Sequence, residues 1–360
     1  MPAAVFAAAV FAAAPDDRED RRGLSYPHGR FFPEPATLFA VADGVFWLRM
    51  PLPMSLNHVN LWVLDDGDGW TIIDTGLNTD AARADWETLF AGPLAGRPVR
   101  RVIVTHYHPD HLGLAGWLSA RWGVPLEISR TEYLFGRTLT LDVRDVPPPE
   151  AVGFYTRAGW PAERLAAFGT RNWSGFSKIV SPLPVGYKRL QAGEVLTIGG
   201  RAWRIVVGSG HSPEHVCLVC DEAGLFIAGD QVLPRITSNV SVYPTEPGAD
   251  PLADWLGSIE ALRGIDPEFR VLPSHGEPFD GLHTRLDQLR DDHAGKLAVL
   301  AGFCAEPRTA VETFAVLFKR PVGDDMMMAT GEALAHLHWL ENHGQVTRLG
   351  DGAVDRFVAR

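Results

Sequence analysis

Residues 105–111 read Thr105-His106-Tyr107-His108-Pro109-Asp110-His111, and they follow directly on the apolar run Arg101-Val102-Ile103-Val104. A β-branched run of this kind predicts a strand, so His106, His108, Asp110 and His111 are expected just beyond a strand's C-terminal end. Imidazole and carboxylate are the N and O donors that zinc, iron and manganese accept. The competing reading, a polar loop merely rich in histidine, loses ground once the rest of the chain is considered.

Three further strand-like runs end in the same way. Residues 203–207 lead to His211, 225–228 to Asp230, and 269–272 to His275. Donors delivered to loops at several strand ends of a rigid sheet converge on a preorganised site. Gly208, Gly210, Gly229 and Gly276 flank these donors and permit the tight turns that such convergence needs.

Upstream, strands are predicted at 44–49, 59–64 and 70–73, with 65–69 as turn chemistry between the last two. The strand at 70–73 ends in Asp74-Thr75-Gly76, and Thr79 or Asn78 can cap a helix over 80–90. A helix at 112–121 and a short strand at 124–128 follow. Residues 131–184 contain no clean strand and include Pro147-Pro148-Pro149. An excursion this long is expected to be structured, as a helical lid on the substrate side. Strands resume at 194–198, 203–207, 215–220 and 225–228, with helices at 252–263 and 282–303. In the tail, helices at 310–318 and 330–342, the latter with an apolar stripe of Leu334, Leu337 and Leu340, precede a hairpin around 349–352. That order predicts a small winged-helix-like module over 304–360, after a catalytic domain over 24–303.

The ordered motifs resemble the metallo-β-lactamase-fold superfamily of metal-dependent hydrolases, and the tail resembles its glyoxalase-II-like and β-lactamase-like-protein-2 branch. The resemblance implies an α/β (α+β) fold, an αββα sandwich with metals at one edge between two sheets. Carried over by position, His106, His108 and His211 would hold one divalent ion. Asp110, His111 and His275 would hold a second, and Asp230 would bridge them. Asp74 and His215 would support the ligands from behind. Zinc is the implied metal, with iron or manganese as alternatives. The implied chemistry is hydrolysis of a small-molecule thioester, ester or lactone by a water that two ions share and acidify, with Asp110 orienting it and taking its proton. A nuclease or phosphodiesterase acting on RNA is the alternative. β-Lactamase and persulfide dioxygenase activities are minor ones, the former because β-lactamases lack the bridging carboxylate.

Composition narrows the partners. The 360 residues carry a formal charge of −11, which disfavours broad binding to phosphate backbones, and the predicted tail helix has no Lys or Arg. No DNA partner is expected; the tail is read as a packing or dimerisation element, which leaves room for a homodimer. Tyr155, Trp173, Lys178 and Tyr187, together with Arg157, Trp160, Arg171 and Lys188, are candidates to meet an anionic acyl carrier. Three cysteines do not make a disulfide framework. Cys217 and Cys220, three apart on one strand, are expected on opposite faces as buried apolar residues. Met1–Ala14 is apolar but too short to span a membrane as a helix. It is read as an unstructured leader over 1–23 of a cytoplasmic protein, with export as the alternative.

Overall fold

In a computed structural model of the chain, residues 12–13, 16–54, 56–323, 325–350 and 352–360 are described. The expected apolar leader lies almost wholly outside them. Its charged end does not behave as a leader: β1 (Glu19–Arg21) and β2 (Leu24–Tyr26) form an antiparallel hairpin. The turn residues Arg22 and Gly23 both have positive φ, 52° and 75°, the backbone geometry that two-residue hairpins favour. Arg21 then pairs with the buried Glu277 at 3.2 Å. A charged run expected to stay in solvent is fastened to the body by that ion pair.

Seven strands form the first sheet in chain order: β3 (Phe39–Ala42), β4 (Val45–Pro51), β5 (His58–Asp65), β6 (Trp70–Ile73), β7 (Val99–Ile103), β8 (Leu126–Ile128) and β9 (Lys188–Arg189). Pairing is antiparallel as far as β6 and parallel from β6 to β9. A parallel step needs a crossover, and α1 (Asp80–Ala91) supplies the one between β6 and β7, its first turn capped by Thr79 Oγ1 accepting from Ala82 N at 3.1 Å. The His cluster follows β7 and opens α2 (Pro109–Leu112), then α3 (Ala115–Trp122). The second sheet has the order β10 (Val195–Ile198), β11 (Arg201–Gly208), β12 (His215–Cys220), β13 (Leu225–Gly229) and β14 (Arg270–Pro273). Only its last pair is parallel.

Trp47, Trp62, Ile73 and Ile103 of the first sheet pack against Trp203, Ile205, Leu218 and Ile227 of the second. The outer face of the first sheet buries Trp86, Leu89 and Leu118 of its helices. The outer face of the second is covered by α8 (Pro251–Leu262) and α9 (Leu282–Phe303). The result is the αββα order of layers, each sheet apolar on both faces. Cys217 faces the helical layer and Cys220 the inter-sheet core, both buried and free.

Between β8 and β9 lie four helices, α4 (Arg130–Leu141), α5 (Pro149–Arg157), α6 (Ala162–Gly169) and α7 (Gly175–Ile179). In the tail, the helix expected at 310–318 shrinks to α10 (Phe314–Leu317). Val311 and Thr313 are β-branched and resist helix, while Thr309 and Glu312 exchange backbone-to-side-chain hydrogen bonds that close a turn instead. The next helix, α11 (Met326–Asn342), begins one turn before the expected 330, and β15 (Val346–Gly350) pairs with β16 (Asp355–Ala359). Ala333, Leu334, Leu337, Leu340 and Phe357 share one core with α8 and α9. Among the described residues, no helix is long and apolar enough to cross a membrane.

Candidate metal centre

The loops after β7, β11, β13 and β14 meet at one edge of the sandwich. Three groups of donor atoms lie within 4.8 Å of one another: His106, His108 and His211; His106, His111 and Asp230; and Asp110, His111 and His275. His106 Nε2 is 2.9 Å from His108 Nδ1 and 3.3 Å from His211 Nε2. Asp230 spans the cluster, with Oδ2 3.3 Å from His211 Nε2 and Oδ1 3.3 Å from His275 Nε2. Asp110 Oδ2 lies 3.5 Å from both His111 Nε2 and His275 Nε2. All seven residues named from the sequence are therefore gathered in one place.

Their outer nitrogens are held from behind. His211 Nδ1 donates to the Asn239 carbonyl at 2.8 Å and His275 Nδ1 to the His58 carbonyl at 2.7 Å, so in both rings Nε2 faces the centre. The buried Asp74 takes three hydrogen bonds: Thr105 N at 2.8 Å, Thr105 Oγ1 at 2.9 Å and His111 Nδ1 at 2.8 Å. Because the Thr105 hydroxyl donates to Asp74, it accepts from His106 Nδ1 at 2.9 Å. One carboxylate thereby orients two ligand candidates. His215 Nε2 accepts the Asp230 backbone N–H at 3.0 Å, and its ring stacks on His106.

Two close approaches require glycine. A Cβ at Gly210, where φ is 104°, would come within 2.5 Å of Trp255 in α8. One at Gly229 would fall 2.4 Å from the His215 ring.

Charge in the centre is divided. Burial, and then the surrounding imidazoles, keep His106 well below its ordinary pKa, and the same causes push His108 down to about 3. Both are neutral donors. Burial also opposes charge on His111 and His275, but Asp110, Asp230 and, for His111, Asp74 outweigh it. His111 is held well above its ordinary value and His275 at about 10. Reciprocally, Asp110 and Asp230 lie below the usual carboxylate range despite burial, because of those two histidines. His111 Nε2 and Asp230 Oδ1 are buried without a hydrogen-bond partner, a costly state for polar atoms. A cation between them would satisfy both atoms and replace the protons on His111 and His275. The donor set, imidazole with carboxylate, fits a divalent metal.

Several supporting residues were not anticipated. Asn60 on β5 donates to the carbonyls of Pro273 and Gly276 at 2.9 and 2.7 Å, and His58 Nε2 accepts the Gly276 N–H at 2.9 Å. The first sheet thus holds the loop that carries His275. An asparagine inside the apolar run 59–64 was a readable signal, since a buried amide must find partners. Glu132 on α4 accepts from Tyr107 N at 2.9 Å and Glu214 N at 2.7 Å, tying the His-cluster loop to the His211 loop. Nothing in its local sequence marks it.

Beside His108 lies a cavity of about 480 Å³, walled by Phe135, Phe168, Phe176 and Ile179 from the lid, Tyr243 and Pro244, and Met327 and Met328 from α11. The Tyr107 hydroxyl is hydrogen-bonded to that of Tyr243 at its wall. Tyr155, Trp173 and Arg171 line this cavity. Lys178 instead bonds Asn172, Tyr187 stacks on Tyr133, Lys188 bonds Glu127, and Trp160 bonds Thr330. Lys178 and Tyr187 are therefore occupied elsewhere and do not line it.

This fold and this donor cluster define a class. The profile of the metallo-beta-lactamase superfamily matches residues 55–275, and the chain belongs to that superfamily. Residues 297–360 match the metallo-beta-lactamase-like C-terminal domain. Among particular proteins, the chain is similar to a beta-lactamase domain protein from Burkholderia ambifaria, whose crystal structure superposes with a TM-score of 0.83 at 41% identity over 94% of this chain and 100% of that one. It is also similar to the probable metallo-hydrolase YqjP of Bacillus subtilis, at 27% identity over 86% of this chain and 96% of that protein. The human acyl-coenzyme A thioesterase MBLAC2 is 24% identical over 77% of this chain and 90% of its own length.

Proposed function

We propose that this metallo-hydrolase cleaves acyl thioesters of a small carrier, using two divalent ions, zinc by preference. The observation that carries this reading is the apolar cavity opening beside His108. It offers an uncharged acyl or carrier arm a dry bed next to the donor cluster. The thioesterase among the relatives supports the same choice. His106, His108 and His211 would hold one ion and Asp110, His111 and His275 the other, with Asp230 between them. Bound there, the ions supply a water acidified towards neutral pH and positive charge for the developing oxyanion.

The chain's own residues do the rest. Asp110 is only partly buried, so water reaches it, and its carboxylate orients the attacking water by accepting a hydrogen bond from it. Asp74, Thr105, His58 and Asn239 keep the donor rings aimed without reaching substrate. The lid aromatics and the two α11 methionines exclude bulk water from the scissile bond. RNA is a poorer fit, because α11 carries no Lys or Arg and is buried over most of its length.

The test combines elemental analysis with a panel of acyl thioesters, lactones, phosphodiesters and RNA. Close to two divalent ions per chain with thioester turnover is expected; turnover of RNA or lactone without any thioester would overturn the reading. His108→Ala should lose metal and hydrolysis together. If it keeps both, the ligand assignment is wrong.

A further inference from the structure

Next to the apolar cavity lies a second, more open depression of about 720 Å³, and Met328 lines both. Its character is the reverse of the first. Arg22, Arg235, Arg285, Lys296, Lys319 and Arg320 line it, against the three carboxylates Asp292, Asp325 and Glu332. Lys296 already neutralises part of that acid, pairing with Asp292 at 3.1 Å and Glu332 at 3.0 Å. Arg285 spends its hydrogen bonds on the Leu233 and Ile236 carbonyls and on Gln288, so its charge is not cancelled by a carboxylate. Arg22, Lys319 and Arg320 are exposed and form no ion pair among the described residues.

Arg235 pairs with the buried Glu277 at 3.2 Å, which leaves Arg22, Arg285, Lys319 and Arg320 as a concentration of unpaired cations in a chain of net charge −11, and that needs a reason. Surface charge alone would be as well served anywhere. Here it borders the apolar cavity beside His108, the two sharing Met328 as a wall, within reach of an uncharged arm lying in that cavity. The groove also reaches Asn239, whose carbonyl holds His211. It is therefore continuous with the walls of the metal centre.

We infer that this basic groove, centred on Arg22, Lys319 and Arg320, is the subsite for the phosphate groups of the carrier whose thioester lies at the donor cluster. The ligand class is a phosphorylated pantetheine arm: scissile bond at the metals, uncharged arm through the apolar cavity, phosphate among the cations. Arginine and lysine both suit phosphate, arginine as a planar fork and lysine as a point charge. The inference rests on the thioester reading for its chemistry but not for its measurement.

Binding can be followed without turnover. Isothermal titration of the full chain with coenzyme A, with a phosphopantetheine-bearing acyl carrier protein and with unphosphorylated pantetheine compares carriers that share one thiol-ended arm. Lys319→Ala/Arg320→Ala, at two exposed loop positions, should lower affinity for a phosphorylated carrier by about tenfold or more and steepen no loss for pantetheine. The carrier affected identifies the source of the phosphate. Unchanged affinity for both phosphorylated carriers, or equal loss with pantetheine, would overturn the subsite. So would tight binding and cleavage of a single-stranded RNA oligonucleotide that depends on the same two residues. Should coenzyme A binding show the expected dependence while no thioester is hydrolysed, the subsite stands and the thioesterase reading fails.

Discussion

Asp74 has two roles in one residue. Its φ of 63° places a non-glycine residue in the left-handed region, which aspartate tolerates better than most but still at a cost. Its carboxylate meanwhile orients His111 directly and His106 through Thr105. Strain at such a point persists only where surrounding bonds over-determine it. The two roles separate by substitution. Asp74→Gly relieves the backbone and removes the carboxylate, so metal affinity should fall about 10- to 100-fold while the metal-free melting temperature drops less than in Asp74→Ala. Competition with a metal chelator and a thermal melt give the two numbers. Equal metal affinity in Asp74→Gly and wild type would show that the carboxylate does not orient the ligands. At Gly210 the demand is steric: Gly210→Ala drives a Cβ into Trp255. It should displace the loop carrying His211 and lower metal occupancy, measured by elemental analysis, more than the unfolding midpoint.

Among the elements, α4 has a second task beyond covering the cavity. Through Glu132 it joins the loop after β7, on one sheet, to the loop before β12, on the other. Glu132→Leu would leave the buried Tyr107 N–H unpaired, at about 1–3 kcal/mol, and the half-buried Glu214 N–H without its carboxylate, at less. The expected result is a lower urea midpoint together with looser metal binding; a midpoint within error of wild type would refute the bracing role. Glu132 also shows where sequence reading stops. His106, His108, Asp110, His111, His211, Asp230 and His275 were legible because strand periodicity and donor chemistry coincide at each strand end. The lid was legible as helical from its length and its proline breaks. Glu132 was not, because its partners are backbone groups more than twenty and eighty residues away. The β1–β2 hairpin was missed because Asp16 to Arg22 has the composition of a solvated run, and only the distant Glu277, Asp280 and Gln288 make it structure. Lys178 and Tyr187 were proposed on chemistry alone, and chemistry does not say which way a side chain points.

Over the whole molecule, the tail belongs to the body. α11 packs on α9, and at that contact His293 Nδ1 lies 3.1 Å from His336 Nε2, both rings buried. Burial first, then His336 and Lys296, hold His293 down to about 3, with Asp292 opposing; His336 is lowered too, by burial and then Lys296, against Glu332 and Asp292. Above about pH 6.5 these histidines are neutral folded or unfolded. On acidification only the unfolded chain takes up protons, so stability falls from pH 6.5 towards 3, by about 1.4 kcal/mol per pH unit for a histidine held this low. His293→Gln keeps a donor for His336 and removes one titration. Its loss of stability between pH 7 and 5, from urea midpoints, should be smaller than wild type; an identical slope would mean the pair does not titrate. A last consequence comes from where the donors sit in the chain. The three donor groups are complete only at His211, Asp230 and His275 respectively, and each draws on loops of different sheets. During synthesis the nascent chain therefore gains the last member of each group one at a time, from the loops after β11, β13 and β14 of the second sheet. A truncated product ending inside the lid would carry His106, His108, Asp110 and His111 but lack the third donor of every group, and chelator competition should find its hold on a divalent ion weaker than the full chain's.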